Sequence, residues 1–291
     1  MGILIGADSR VICQGMTGRM GTFHTEQCIS YGTNVVGGVR PGKGGSKHLG
    51  LPVFDHVADA VAQTGANVSM IFVPPANAAD AMIEAIKAEV PVVVCVTERV
   101  PVLDMLRVRH ALEGSPSVLV GPNSQGLLAP GVCKVGVMPV LNERKGSIGI
   151  ISRSASLTSE VVEQTSRLRM GQSTTVGVGG DPVHGIGFVD SLKLFFDDKE
   201  TEGVILIGEI GGDEEEQAAA FLSANKPAKP VVAFVAGRHA PAARRMGHAG
   251  TVHAFGAGSA QEKIDALRAA GAVIADNAAV IGQTMKQALG R

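Results

Sequence analysis

The strongest constraint on this chain is an alternation that occurs twice. Short β-branched runs alternate with segments of helical period. The first series places strands at RVICQG (10–15), NVVGGV (34–39), NVSMIFVP (67–74), PVVVCVT (91–97) and SVLVGPN (117–123), with helices at 21–32, 77–90 and 102–114. The second places strands at IGIISR (148–153), QSTTVGVGG (172–180), EGVILIGEI (202–210) and KPVVAFVAG (229–237), with helices at 156–169, 188–198, 213–225, 259–271 and 277–290. Strands apolar along nearly their whole length cannot show one face to water. They need helices on both faces, which is the parallel sheet of an α/β fold. Residues 127–147 carry Pro, Gly and charge without a helical period and read as an extended connection. The expected organisation is an α/β domain over 1–126, a connecting segment over 127–147 and a second α/β domain over 148–291.

The core of such a fold must here be aliphatic. Apolar residues make up 45% of the chain, but aromatic ones only 3%, with no Trp and one Tyr. A formal charge of −1 gives no electrostatic footprint for nucleic acid or an anionic membrane surface. No apolar run reaches the ~18 residues of a membrane span. Cys13, Cys28, Cys95 and Cys133 are widely spaced, without a C-x-x-C pair, so reduced thiols are expected rather than a zinc site or disulfides. The N-terminal residues lack the basic-then-apolar order of a signal peptide. The expected setting is cytoplasmic, and no metal site is expected on this chain.

Four motifs bear on chemistry. QGMTGRMG places Gly15, Gly18 and Gly21 between a strand and a helix, where the backbone can approach a ligand and helix N–H groups attract phosphate. Its spacing is G-x-x-G-x-x-G, not the dinucleotide G-x-G-x-x-G, and a tight turn without ligand also explains it. A dinucleotide site wants an acidic residue after the second strand. This chain offers Arg40, Lys43 and Lys47 among glycines, which suits a ligand with further phosphates. CoA and NADP both have that chemistry, and a solvated basic loop is the plain alternative. ISRSASLTSE brings Ser154, Ala155 and Ser156 to a helix start; helix capping alone accounts for the serines, and an anion site is the functional reading. Glu209 in IGEIGG ends an apolar strand, where α/β sheets place ligands. Such a carboxylate can orient an imidazole by accepting one ring N–H, leaving the other nitrogen as nucleophile. His248 in RRMGHAG is one of 8 histidines and stands between Gly247 and Gly250, an environment with room rather than packing. His239 and His253 lack that context.

Taken together, CQGMTGRMGTFH, VVGGVRPGKGGSKHLGLPVF, GPNSQG, GIISRSASLT, GQSTTVGVGGDP, IGEIGG and RRMGHAG resemble the α subunit of succinate–CoA ligase, in order and nearly end to end. The resemblance implies a Rossmann-like CoA-binding domain followed by a flavodoxin-like ligase domain. It implies an enzyme that makes an acyl-CoA from a carboxylic acid, CoA and ATP or GTP, through an acyl phosphate and a phosphohistidine. On that basis His248 is the phosphohistidine and Glu209 its support. Thr17, Gly18, Arg19 and Met20 match the CoA-binding turn, Lys43 a CoA-contacting lysine, and Val96, Thr97 and Glu98 a further CoA-lining segment. Ser154 and Ala155 match the phosphate cradle. The chain shows no G-x-x-x-x-G-K-[ST] motif. The resemblance supplies the missing nucleotide site through a β subunit with an ATP-grasp domain holding Mg²⁺–nucleotide, giving an αβ or (αβ)2 heteromer.

Two departures fall where the resemblance places the acid. The family's GPNCPG is here GPNSQG, so Asn123 is followed by Ser124 and Gln125. Its SRSGTLTYE is here SRSASLTSE, with Ser159 where many members carry Tyr. A succinate enzyme that has drifted is the plain reading; another dicarboxylate such as malate is the sharper one. A non-catalytic CoA-binding regulator would have no use for the His248 loop. An NADP oxidoreductase finds support only in the cationic loop.

Overall fold

Each strand of the first series is short, β-branched and buried. β1 (Val11–Gln14), β2 (Val35–Val39), β5 (Val68–Ile71), β6 (Val92–Cys95) and β7 (Val118–Val120) lie parallel, joined by β4 (Leu51–Phe54) beside β2. A two-residue strand, β3 (Lys47–His48), pairs antiparallel with β4. The sheet runs β3-β4-β2-β1-β5-β6-β7. Counted along the chain, its parallel strands are in the order 3-2-1-4-5-6 of a dinucleotide-type doubly wound sheet. The helices α1 (Arg19–Tyr31), α2 (Val57–Thr64), α3 (Pro75–Lys87) and α4 (Val102–Leu112) connect them. β1, β5 and β6 are buried at every position because helices cover both faces. Each Val or Ile so buried contributes about 1.5–3 kcal/mol.

The structure is a computed structural model and describes residues 2–241, 244–252 and 258–291. It divides into two compact units, one of residues 3–138 with Val183–Gly185, the other of 139–182 and 186–291. Residues 127–147, expected as an extended connection, are more ordered than that. β8 (Gly126–Ala129) and β9 (Cys133–Gly136) form an antiparallel hairpin, and β10 (Lys145–Ser152) starts inside the same stretch. The pattern hid the hairpin because its Gly and Pro residues break any period. Gly126 and Gly136 face each other so closely that a Cβ on either would strike the partner strand.

In the second unit, β11 (Gln172–Gly177), β12 (Gly203–Glu209), β13 (Val231–Ala236) and β14 (Val273–Ile274) join β10 in parallel in the order β14-β13-β12-β10-β11. Counted along the chain this is 2-1-3-4-5, the flavodoxin-like order. The helices are α5 (Ala155–Arg167), α6 (Phe188–Asp197), α7 (Glu214–Asn225), α8 (Ala260–Ala269) and α9 (Ile281–Ala288), the last preceded by a 3₁₀ turn at 278–280. In each unit, neighbouring strands leave the sheet in opposite directions at one point: β1 and β5 in the first, β10 and β12 in the second. Ligand sites in open α/β sheets form at such a crevice.

Candidate active site

At the crevice of the first unit, the ends of β1, β2, β5 and β6 open onto a cavity of about 1030 Å³. Gly15, Gly18, Arg19, Arg40, Phe72 and Thr97 line it, with Met20, Val96 and Glu98. The turn that shapes it depends on two glycines. Gly15 has φ 84°, and its carbonyl accepts from Gly18 N–H at 3.0 Å. A Cβ at Gly21 would collide with that carbonyl. α1 thus begins directly against β1, with no side chain capping its first N–H groups. Such N–H groups attract phosphate. Thr17 and Lys43 do not line the cavity. Thr17 Oγ accepts from Arg40 at 3.3 Å, and Lys43 stands exposed on the following loop. That loop is built around Asp55, whose carboxylate accepts from the N–H groups of Gly44 and Lys43 at 2.9 and 3.1 Å. These bonds, Gly44's above all, hold the Asp55 carboxyl below its usual range. Sequence reading missed this anchor because Asp55 lies on the far side of β4.

The second unit gathers its charges at the ends of β10, β11 and β12. Glu209 ends β12, and both its oxygens face His248 Nδ1, at 2.8 and 3.0 Å. A carboxylate only accepts, so Nδ1 carries the proton and Nε2 keeps a free lone pair in the neutral ring. Arg153, following β10 and buried, places Nε 3.3 Å from Glu209 Oε1 as an ion pair and donates from Nη1 to Glu214 at 3.3 Å. The Glu209 N–H donates to Glu215 at 2.9 Å, and Glu215 is fully buried against the equally buried Lys263 at 2.5 Å. The Glu209 hydrogen bond raises the His248 pKa above its ordinary 6.5, while burial and the Arg153 charge oppose the rise and Asp181 assists it.

The imidazole lies close against Gly180. A Cβ at Gly180 would come within 2.5 Å of the His248 ring. The loop beneath the ring is closed by Thr251, whose Oγ donates to the carbonyls of Met246 and His248 at 2.8 and 2.7 Å. Where the sequence reads both glycines only as room around His248, the structure gives Gly247 a conformational role, since its φ is 91°. Gly250 has no such φ, and a Cβ there meets nothing closer than 3.8 Å. Arg153, Gly180 and Thr251 carry no sequence signal of their own; two of them sit inside conspicuous motifs. His253 lies outside the described residues.

The remaining candidates are placed as follows. Ser154 caps α5, accepting from Leu157 N–H at 3.3 Å, and Ala155 is the first residue of that helix. Ser159 is half-buried and donates to the Ala155 carbonyl at 3.2 Å. Ser124 and Gln125 are buried in the first unit; Ser124 Oγ accepts from Gly126 N–H at 2.8 Å. Asn123 is partly buried, and its N–H donates to the Thr97 carbonyl at 2.8 Å. Among the described residues, no group of His, Cys, Asp and Glu is arranged to hold a metal ion. Nor is any helix among them long and apolar enough to cross a membrane.

The CoA binding domain family matches residues 7–99, and the CoA-ligase family matches 151–273. The α subunit of succinate–CoA ligase [ADP-forming] from Aquifex aeolicus is 50% identical, over 99% of this chain and 95% of that relative. The α subunit of the same name from Staphylococcus aureus strain Mu50 is 47% identical, again over 99% and 95%. ATP citrate lyase from Methanothrix soehngenii, solved with citrate and coenzyme A, shares the fold with a TM-score of 0.87 at 23% identity. The alignment covers 99% of this chain and 50% of that one. An acetyl-coenzyme A synthetase from Ca. Korarchaeum cryptofilum gives a TM-score of 0.77 at 21% identity, over 97% and 61%.

Proposed function

Because the chain belongs to the family of succinate–CoA ligase α subunits, we infer that it is the α subunit of an enzyme joining succinate to CoA, reversibly, with cleavage of a nucleoside triphosphate. A carboxylate is a poor acyl donor because oxide would have to leave. Phosphorylation supplies a leaving group, and the CoA thiolate then displaces phosphate. His248 carries the phosphoryl group from the nucleotide to the carboxylate, before the acyl phosphate forms. Its Nε2 lone pair attacks the γ-phosphorus; the N–P bond forms as the bond to the β-phosphate oxygen breaks, and the nucleoside diphosphate departs. The phosphoryl group then passes to a succinate oxygen, which restores neutral His248. Throughout, Nδ1–H stays on Glu209, so the ring is oriented and its tautomer fixed. The single observation that carries this reading is the Glu209–His248 pair, with Nδ1 engaged and Nε2 available.

The cradle for the transferred phosphoryl is the start of α5, where Ser154 caps the helix and Ala155 begins it. The first helical N–H groups have no intrahelical acceptor and favour an anion. CoA occupies the first-unit cavity, with Gly18, Arg19 and Met20 at the phosphate turn and Val96, Thr97 and Glu98 along its wall. Thr17 acts through Arg40, and Lys43 meets the ligand's outer phosphates. Asn123, Ser124, Gln125 and Ser159 belong to the acid side. The catalytic terms are positioning and charge stabilisation.

An α subunit requires a partner. We assign the Mg²⁺–nucleotide site to an ATP-grasp domain on a β subunit, in an αβ or (αβ)2 assembly. The relatives' ADP-forming names favour ATP. Four buried cysteines, none of them in a disulfide, suit a reducing, cytoplasmic compartment; burial pushes the Cys13 thiol up to about 12. The test mixes this chain with its β partner and γ-labelled ATP. An acid-labile, base-stable phosphate should appear on the α chain and vanish in His248→Asn. Retention of the label in that variant refutes the carrier.

A further inference from the structure

We propose that Arg153 is a positioning residue for phosphoryl transfer. Its buried guanidinium, clamped between Glu209 and Glu214, divides the Glu209 charge so that the carboxylate orients His248 without locking it in the protonated, non-nucleophilic form. The inference rests on His248 being the phosphoryl carrier. Its geometric basis is separate: a single Glu209 oxygen faces both the guanidinium and the imidazole. Oε1 lies 3.3 Å from Arg153 Nε and 3.0 Å from His248 Nδ1, and Oε2 lies 2.8 Å from the same Nδ1. Glu214 takes up the other end of the guanidinium at 3.3 Å. With both carboxylates at hand, Arg153 is charge-balanced within its own surroundings, and only part of its charge acts on Glu209.

A carboxylate devoted to one imidazole would stabilise the imidazolium strongly. That would orient the ring well but leave few neutral molecules to attack phosphorus at neutral pH. Arg153 opposes this in two ways. It competes for Glu209, and it repels a positive ring. Among the described residues, the charged groups acting on His248 are Glu209 at the end of β12, Arg153 just after β10 and Asp181 in the loop after β11. Arg153 is the only cation of that set. The planar fork of arginine reaches two carboxylates at once, which a lysine ammonium does less well.

The test uses the assembled enzyme and measures the initial rate of labelling by γ-labelled ATP from about pH 5.5 to 8.5, bracketing imidazole titration. The wild-type rate should rise through the His248 midpoint. Arg153→Met should move that midpoint upward, by about one pH unit, and lower the rate at neutral pH about tenfold, with the KM for CoA unchanged. Arg153→Lys should return the midpoint toward wild type. Glu214→Gln should move it downward, because Arg153 then acts on Glu209 alone; this variant also serves if Arg153→Met does not assemble. Opposite shifts in the two variants support the proposal. A rate loss without a midpoint shift, or shifts of the same sign, would overturn it. Failure of the carrier reading is recognised separately, by absent wild-type label or by label surviving in His248→Asn.

Discussion

His248 and Glu209 form a unit whose chemistry follows from which nitrogen is engaged. Removing the carboxylate charge should therefore change both rate and pH dependence. Glu209→Gln is expected to slow phosphorylation by on the order of 10²-fold, the scale of a positioned proton-bonding partner. The sign of its pH effect follows from the cause of the shift. Glu209 raises the His248 pKa above 6.5, so the nucleophilic, neutral ring predominates only above that raised value. Without the carboxylate the acidic limb should move down, read from labelling rate against pH. Gly180 matters for the opposite reason: it has nothing to contribute but space. Gly180→Ala puts a Cβ 2.5 Å from the ring. It should cost about 1–3 kcal/mol in stability and abolish labelling, while CoA binding, measured by calorimetry, persists.

Two turns hold reactive groups in place, and each depends on particular glycines. In the loop after β13, Gly247 adopts φ 91° and Thr251 ties the ends together. Gly247→Ala should cost about 1–2 kcal/mol from the left-handed conformation, and Gly247→Pro should eliminate phosphoryl relay without affecting CoA binding. Gly250→Ala should be tolerated in the folded α chain, since nothing lies within 3.8 Å of its Cβ. Equal damage from Gly250→Ala would show that loop mobility, not the Gly247 backbone, is what relay requires. In the turn after β1, Gly21→Ala would drive α1 from β1 and should reduce CoA affinity. The sequence displayed both glycine clusters plainly. It did not display which glycine is conformational and which merely small, because that distinction depends on φ and on the neighbour across the turn.

In the second unit, buried charges among the described residues gather around the Glu209–His248 pair: Arg153, Asp181, Glu215 and Lys263. Lys263 and Glu215 are both fully buried, and Glu215 also receives the Glu209 N–H. Lys263→Met leaves a buried carboxylate without its cation and should cost about 3–5 kcal/mol, seen as a lower midpoint in denaturant unfolding. A panel of acids with the assembled enzyme should show succinate turned over at least as well as malate. Better turnover of malate would give Ser124, Gln125 and Ser159 a part in specificity. The sequence by itself determined the two α/β sheets, since continuous apolar strands between amphipathic helices leave one arrangement that buries them. It also marked Glu209 and His248, whose residue types and glycine-rich settings are informative over a few positions. Only the tertiary structure decided what surrounds them. Arg153, Gly180 with Asp181, and Glu209 come from three different strands or the loops that follow them, β10, β11 and β12, and their contacts are set by sheet order, a long-range property that no local spacing records. The hairpin at β8 and β9 escaped for the same reason: its strands are defined by the partner each pairs with, not by a period of their own.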